Sequence, residues 1–141
     1  MHLRLALLCA LGLFACGPGS DICPTGWSEN ANAPGQCQAP ASFVTSMSAT
    51  VSSGVYGFVR TNAHGGNQLV VGTLVFAVPS TNTTCDAASV NAVAQTTTDK
   101  DGVFVLSLPT GDYRVTSGEV PACTTVHVDA NSLTAIALTI P

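Results

Sequence analysis

The chain has 141 residues, 46% of them hydrophobic and only 9% charged, with eight acidic residues against four basic ones and a formal net charge of −4. That length holds one domain of ordinary size plus a targeting segment, not two large domains. Four Lys and Arg are too few for a nucleic-acid footprint, and an apolar chain with few charges is not a disordered one.

Residues Met1–Arg4 are short and positively charged at Arg4, and lead into the uncharged run Leu5–Phe14. A membrane-spanning helix needs about 20 apolar residues. A run half that length fits the apolar part of a secretory signal peptide, which is removed. It ends Leu13-Phe14-Ala15-Cys16-Gly17. Leu13, Ala15 and Cys16 resemble the lipobox of bacterial lipoproteins, in which the cysteine is lipidated and becomes the new N-terminus. The resemblance implies a signal peptide over 1–15, lipidation of Cys16, and attachment by acyl chains, each buried CH₂ contributing about 0.8 kcal/mol. Gly17, where Gram-negative lipoproteins kept at the inner membrane carry Asp, implies sorting to the outer membrane of a bacterial cell envelope. The plainer alternative is an ordinary signal peptide cut near Ala15, with Cys16 unmodified.

The chain has six cysteines. Losing Cys9 with the leader and lipidating Cys16 leaves Cys23, Cys37, Cys85 and Cys123. That even set suits disulfides in an oxidising compartment, whereas an unlipidated Cys16 would leave an odd thiol. Loss of Arg4 makes the mature chain more acidic still, so nothing steers it toward polyanions.

Residues 16–53 read as a tether, a cysteine-closed loop and a linker. The loop runs from Cys23 to Cys37 and holds the single tryptophan, Trp27; closing it contributes about 3 kcal/mol in the chain-entropy account. Trp27 reads as a packing residue, with a stacking platform for a sugar as the alternative. Gln38–Ser53 is rich in Ser, Thr and Ala and reads as a linker, with Phe43-Val44 and Val51 hinting at an extra strand.

From Gly54 onward short apolar runs alternate with turn signals, the pattern of an all-β sandwich. Seven strands are predicted: Gly54–Thr61, Leu69–Val78, Asn91–Thr98, Val103–Leu108, Tyr113–Ser117, Cys123–Asp129 and Leu133–Ile140. The second is apolar on both faces and is expected to be central or doubly covered. Asp99-Lys100-Asp101-Gly102 and Pro109-Thr110-Gly111-Asp112 are turns. Cys85 and Cys123 both fall in this module and are expected to pair with each other, contributing about 4 kcal/mol.

The signals Val55-Tyr56-Gly57-Phe58-Val59, Gly72-Thr73-Leu74-Val75, Thr98-Asp99-Lys100-Asp101-Gly102-Val103-Phe104 and Leu108-Pro109-Thr110-Gly111-Asp112-Tyr113-Arg114-Val115 follow one another in order. They are similar to those of the carboxypeptidase regulatory-like domain, and the similarity spans 54–141. It implies a seven-stranded Ig-like or transthyretin-like β-sandwich, in a family whose members are mostly non-catalytic modules of envelope proteins. Phe104 is then a core residue worth about 1.5–3 kcal/mol, and Tyr113 is expected to bury its ring and satisfy its hydroxyl on a backbone group.

Catalytic constellations are thin. His64 and His127 lack the H-x-H spacing with which one strand aims two histidines at a metal, and His127 is expected to be wet. Asp99-x-Asp101-Gly102 has the first beats of a calcium loop without its later ligands. Lys100, the single lysine, sits in a turn, unplaced for a core isopeptide bond. Asn82-Thr83-Thr84 is a glycosylation sequon, meaningful only in a eukaryotic secretory route. The expectation is a non-enzymatic, lipid-anchored envelope protein without metal or cofactor, presenting a small sandwich for structural or binding work. The alternative is a surface adhesin module that binds carbohydrate or protein through Trp27 or the loops around His64 and Asn82.

Overall fold

The computed structural model describes residues 23–33, 35–62, 68–82, 85, 92–118 and 123–141. Ten strands and one short helix follow in the order β1 (Ser28–Glu29), β2 (Cys37–Gln38), α1 (Ala41–Ser48), β3 (Gly54–Thr61), β4 (Gln68–Leu69), β5 (Leu74–Pro79), β6 (Ala94–Thr97), β7 (Val103–Ser107), β8 (Gly111–Ser117), β9 (Thr124–Val128) and β10 (Leu133–Ile140). The class is an all-β sandwich, as the recurring apolar runs imply.

One sheet has β3 at its centre. β10 lies parallel along its whole length, from Leu133 opposite Gly54 to Ile140 opposite Thr61. On the other side β7 pairs antiparallel with Gly54–Phe58 and β4 with Arg60 and Thr61. The second sheet runs β6-β5-β8-β9, antiparallel throughout. Alternation along each strand sends one row of side chains between the sheets. Val55, Val59, Val75, Phe104, Leu106, Val115, Val128 and Leu138 are among those that make the core.

Each sheet is also covered on part of its outer face. On the second sheet, Phe76 and Val78 lie under the Cys85–Cys123 disulfide. On the first, Tyr56 and Phe58 lie under the N-terminal segment, so six consecutive residues from Gly54 to Val59 are buried. This double covering needs a residue without a side chain where strands crowd. A Cβ on Gly57 would sit 1.9 Å from the Ile136 carbonyl oxygen of β10.

Three expectations change. Among the described residues the strands number ten, not seven. The predicted second strand, Leu69–Val78, is two strands in two different sheets. Gly72, at φ +70°, turns the chain between them, and the buried Thr98 fixes the turn: its hydroxyl donates to the Val70 carbonyl and accepts from the Thr73 N–H. The remaining extra strands, β1 and β2, form a minimal hairpin inside the cysteine loop. Finally, the stretch read as linker or extra strand holds α1. Phe43 and Met47, one turn apart, are its half-buried residues together with Val44, and Phe43 packs its ring 5.8 Å from Tyr56. A continuous helical face outweighs the low helix propensity of its Ser and Thr residues.

Candidate functional site

The disulfide Cys23–Cys37 closes a loop of 14 positions. Inside it, Pro24-Thr25-Gly26-Trp27 makes a turn, with the Trp27 N–H donating to the Pro24 carbonyl at 2.9 Å and Gly26 at φ +83°. The turn delivers Trp27 onto the outer face of the β3 sheet. Its ring meets Phe43, Tyr56 and Phe58 edge-on, at centroid distances of 5.5, 6.0 and 5.7 Å. These are favourable aromatic geometries, so the packing role expected of Trp27 is what the structure shows. Burial beneath this layer raises the pKa of the Tyr56 phenol.

Trp27 also forms the wall of an open cleft of ≈ 400 Å³. The cysteine loop contributes Trp27, Gly35, Gln36 and Cys37; the sheet contributes Phe58 and Arg60 of β3 and Ala135–Ala137 of β10. The register explains the hollow. Ala135 and Ala137 stand beside Tyr56 and Phe58 on one face, so small side chains flank large ones and the loop roofs the step between them. Arg60 fastens one end. Its Nη1 donates to the Gly35 carbonyl at 3.0 Å and its Nε to Thr139 Oγ1 at 3.1 Å, tying loop, central strand and edge strand together. The cleft offers an aromatic ring, a side-chain amide, a guanidinium and an alanine floor. That is equipment for holding a ligand.

The other sequence candidates sit elsewhere. Cys16, with the whole segment 1–22, lies outside the described residues, as do His64 and Thr83-Thr84. The four remaining cysteines pair as Cys23–Cys37 and Cys85–Cys123, the latter enclosing 38 positions. Asp99 is a turn residue: its carboxylate accepts from the N–H groups of Asp101 and Val103, and Gly102 follows at φ +73°. Lys100 and Asp101 pair at 2.6 Å; their hydrogen bond raises the lysine pKa and lowers that of the carboxyl. Tyr113 donates its hydroxyl to the Pro109 carbonyl at 3.0 Å, as expected of the corner.

His127 is exposed, opposite Asp112 on the neighbouring strand. Its Nδ1 lies 2.6 Å from Asp112 Oδ1 and its Nε2 3.4 Å from Asp129 Oδ1. The hydrogen bond to Asp112, and then the charges of both carboxylates, raise its pKa. Among the described residues no group of three or more His, Cys, Asp or Glu side chains is placed to hold a metal. Sequence reasoning missed Gln36, Arg60, Ala135 and Ala137. They carry no motif, and only the tertiary register brings the two alanines beneath Trp27.

No protein-family model matches the chain, and no curated protein matches it by sequence. Among solved structures, it is similar to the major pilin subunit of Bacillus cereus, at 16% identity and a TM-score of 0.42, over 64% of this chain and 29% of that one. It is also similar to a protein of Pseudomonas aeruginosa described as a candidate carbohydrate-binding protein, at 18% identity and a TM-score of 0.48, over 74% of this chain and 100% of that one. The chain thus spans under a third of the length of the pilin subunit.

Proposed function

We propose that this is a non-enzymatic, lipid-anchored envelope protein with a transthyretin-like sandwich of the carboxypeptidase regulatory-like kind, which meets a partner through the Trp27 cleft. Cys16 carries the lipid, the residues up to Cys23 are the tether, and the outer membrane is the destination. The cleft carries the binding half of this reading, because loop, disulfide and Arg60 all hold open a hollow that the sandwich does not need for its own packing. Two things support the anchor: the Leu13-Phe14-Ala15-Cys16 pattern, and the pairing of all four cysteines beyond it, which leaves no thiol spare in an oxidising compartment.

The anchor is tested by the intact mass of protein extracted from membranes with detergent. The expected product begins at Cys16 and carries acyl chains, and Cys16→Ala moves the protein into the soluble fraction. Recovery of the parent chain from the medium, unacylated, refutes the anchor. A second reading has a sugar ring stacking on the rim of Trp27 within reach of the Gln36 amide. A glycan array whose signal is lost in Gln36→Ala, with the melting temperature unchanged, would establish it.

A further inference from the structure

β10 reads Leu-Thr-Ala-Ile-Ala-Leu-Thr-Ile, eight residues without a charge or a proline. One edge belongs to β3: the carbonyls of Ser132 and Ile140 accept from Gly54 and Asn62, and the Ile136 carbonyl lies over Gly57. Backbone groups alternate in direction along a strand. The N–H and C=O groups of Ala135, Ala137 and Thr139 therefore point away from β3. All three residues are exposed, and no described strand pairs with that side. β9 comes near at the start, where Thr134 donates its hydroxyl to the His127 carbonyl.

Sheet edges are ordinarily blunted by shortness, charge or proline. Most other margins of this sandwich follow that rule: β4 and β6 have two and four residues, and β9 carries His127 with Asp129 just beyond it. β7 is uncharged too, but has five residues against the eight of β10. β10 has none of these devices. Moreover, the alanines whose backbone groups face outward are the same alanines that floor the cleft. A strand laid along this edge passes the cleft, and its side chain opposite them points into it.

We propose that the β10 edge and the cleft are one site, which takes an extended, uncharged segment of another protein as an added strand and seats one bulky apolar side chain against Trp27. This rests on the cleft being the binding face. It combines the two requirements of strand addition, main-chain hydrogen bonds for affinity and a pocket for specificity. A second copy of this chain suits the edge but not the cleft. Two two-fold registers pair most of both strands, one centred on Ile136 and one on Ala137; they set Ala135 opposite Ala137 or Thr139, so neither places a bulky apolar side chain over the clefts. An uncharged occupant follows from a strand without charges whose nearby cation, Arg60, already serves Gly35 and Thr139.

The test titrates the full chain with short synthetic peptides of alternating Thr and Val, carrying Phe or Ala at the centre. Trp27, the single tryptophan, reports by its emission, and calorimetry gives the affinity. The Phe-centred peptide is expected to bind at least about tenfold more tightly than the Ala-centred one, as burial of the ring implies. N-methylating the peptide amides that face β10 should weaken binding by about tenfold or more, and methylating the alternate amides should change it little. Ala137→Leu, on an exposed position, should fill the cleft and erase the preference for Phe while the melting temperature holds. Four results overturn the proposal. Binding that ignores N-methylation means the cleft takes a side chain without a strand. A saccharide that shifts Trp27 emission where no peptide does leaves the cleft a binding face and removes the polypeptide; silence from both probes removes the cleft reading itself. Sedimentation equilibrium showing a dimer that Ala137→Pro dissociates gives the edge to a second copy.

Discussion

Gly57 is the residue on which the first sheet closes. It faces the core between Val55 and Val59, and a methyl group there would meet the Ile136 oxygen at 1.9 Å and the Phe104 ring at 3.2 Å. Neither the backbone of a parallel neighbour nor a packed ring yields easily. Gly57→Ala should therefore destabilise by about 3 kcal/mol, the upper range for overpacking, read as a lower midpoint in urea. A loss under half of that would mean that β10 is held loosely. His127 gives a prediction in pH. Its folded pKa lies above the ordinary 6.5 because Asp112 and Asp129 hold the imidazolium. The contribution is fully present below the unfolded value and is lost as pH rises through the folded one. The parent should be slightly more stable at mildly acidic pH than above the folded pKa, and His127→Gln should lose that difference. An NMR titration placing His127 below 6.5 would contradict the contacts with both carboxylates.

At the level of the elements, legibility followed local pattern. Gly54–Thr61 and Leu133–Ile140 were read with the bounds they have, because each alternates or runs apolar between clear turn residues. Leu69–Val78 was not, since its apolar run is unbroken and Gly72 alone does not announce a change of sheet. The device that makes the switch, the Thr98 hydroxyl between Val70 and Thr73, comes from another element and leaves no trace in the run itself. Phe43, Met47 and Val51 did carry a helical spacing, but within a Ser- and Thr-rich stretch two apolar neighbours resembled a strand just as well. The cleft was illegible in principle. Its floor is two alanines, and what makes them a site is their register against Tyr56 and Phe58 some eighty positions earlier in the chain. Thr98→Val keeps the shape and removes both hydrogen bonds of the switch. It should cost about 1–3 kcal/mol, because the Val70 carbonyl and Thr73 N–H are left short of a partner. An unchanged midpoint would show that Gly72 alone sets the bend.

Across the whole molecule the question is whether the cysteine loop and α1 hang from the sandwich or belong to it. The contacts favour the second. Trp27 touches two rings of β3, and Arg60 of β3 holds the Gly35 carbonyl. Each of these joins a loop residue to an element buried in the core, so the loop has no separate core to retain once β3 leaves the sheet. A small domain held this way unfolds in one step. Trp27 emission, which reads the loop, and far-UV circular dichroism, which reads the sheets, should then share one midpoint in urea. The distant Cys85–Cys123 bond supplies the stricter form of the test. It covers Phe76 and Val78 on the far side of the sandwich, and among the described residues its cluster includes none from the loop. Replacing both cysteines by Ala should lower stability by about 4 kcal/mol in the chain-entropy account. If loop and sandwich are one cooperative unit, the Trp27 transition moves with the circular dichroism transition by the same amount. A Trp27 transition that stays where it was while the sheets melt earlier, or one that precedes them in the parent, would make the loop an independent appendage. It would also leave the cleft without a rigid wall.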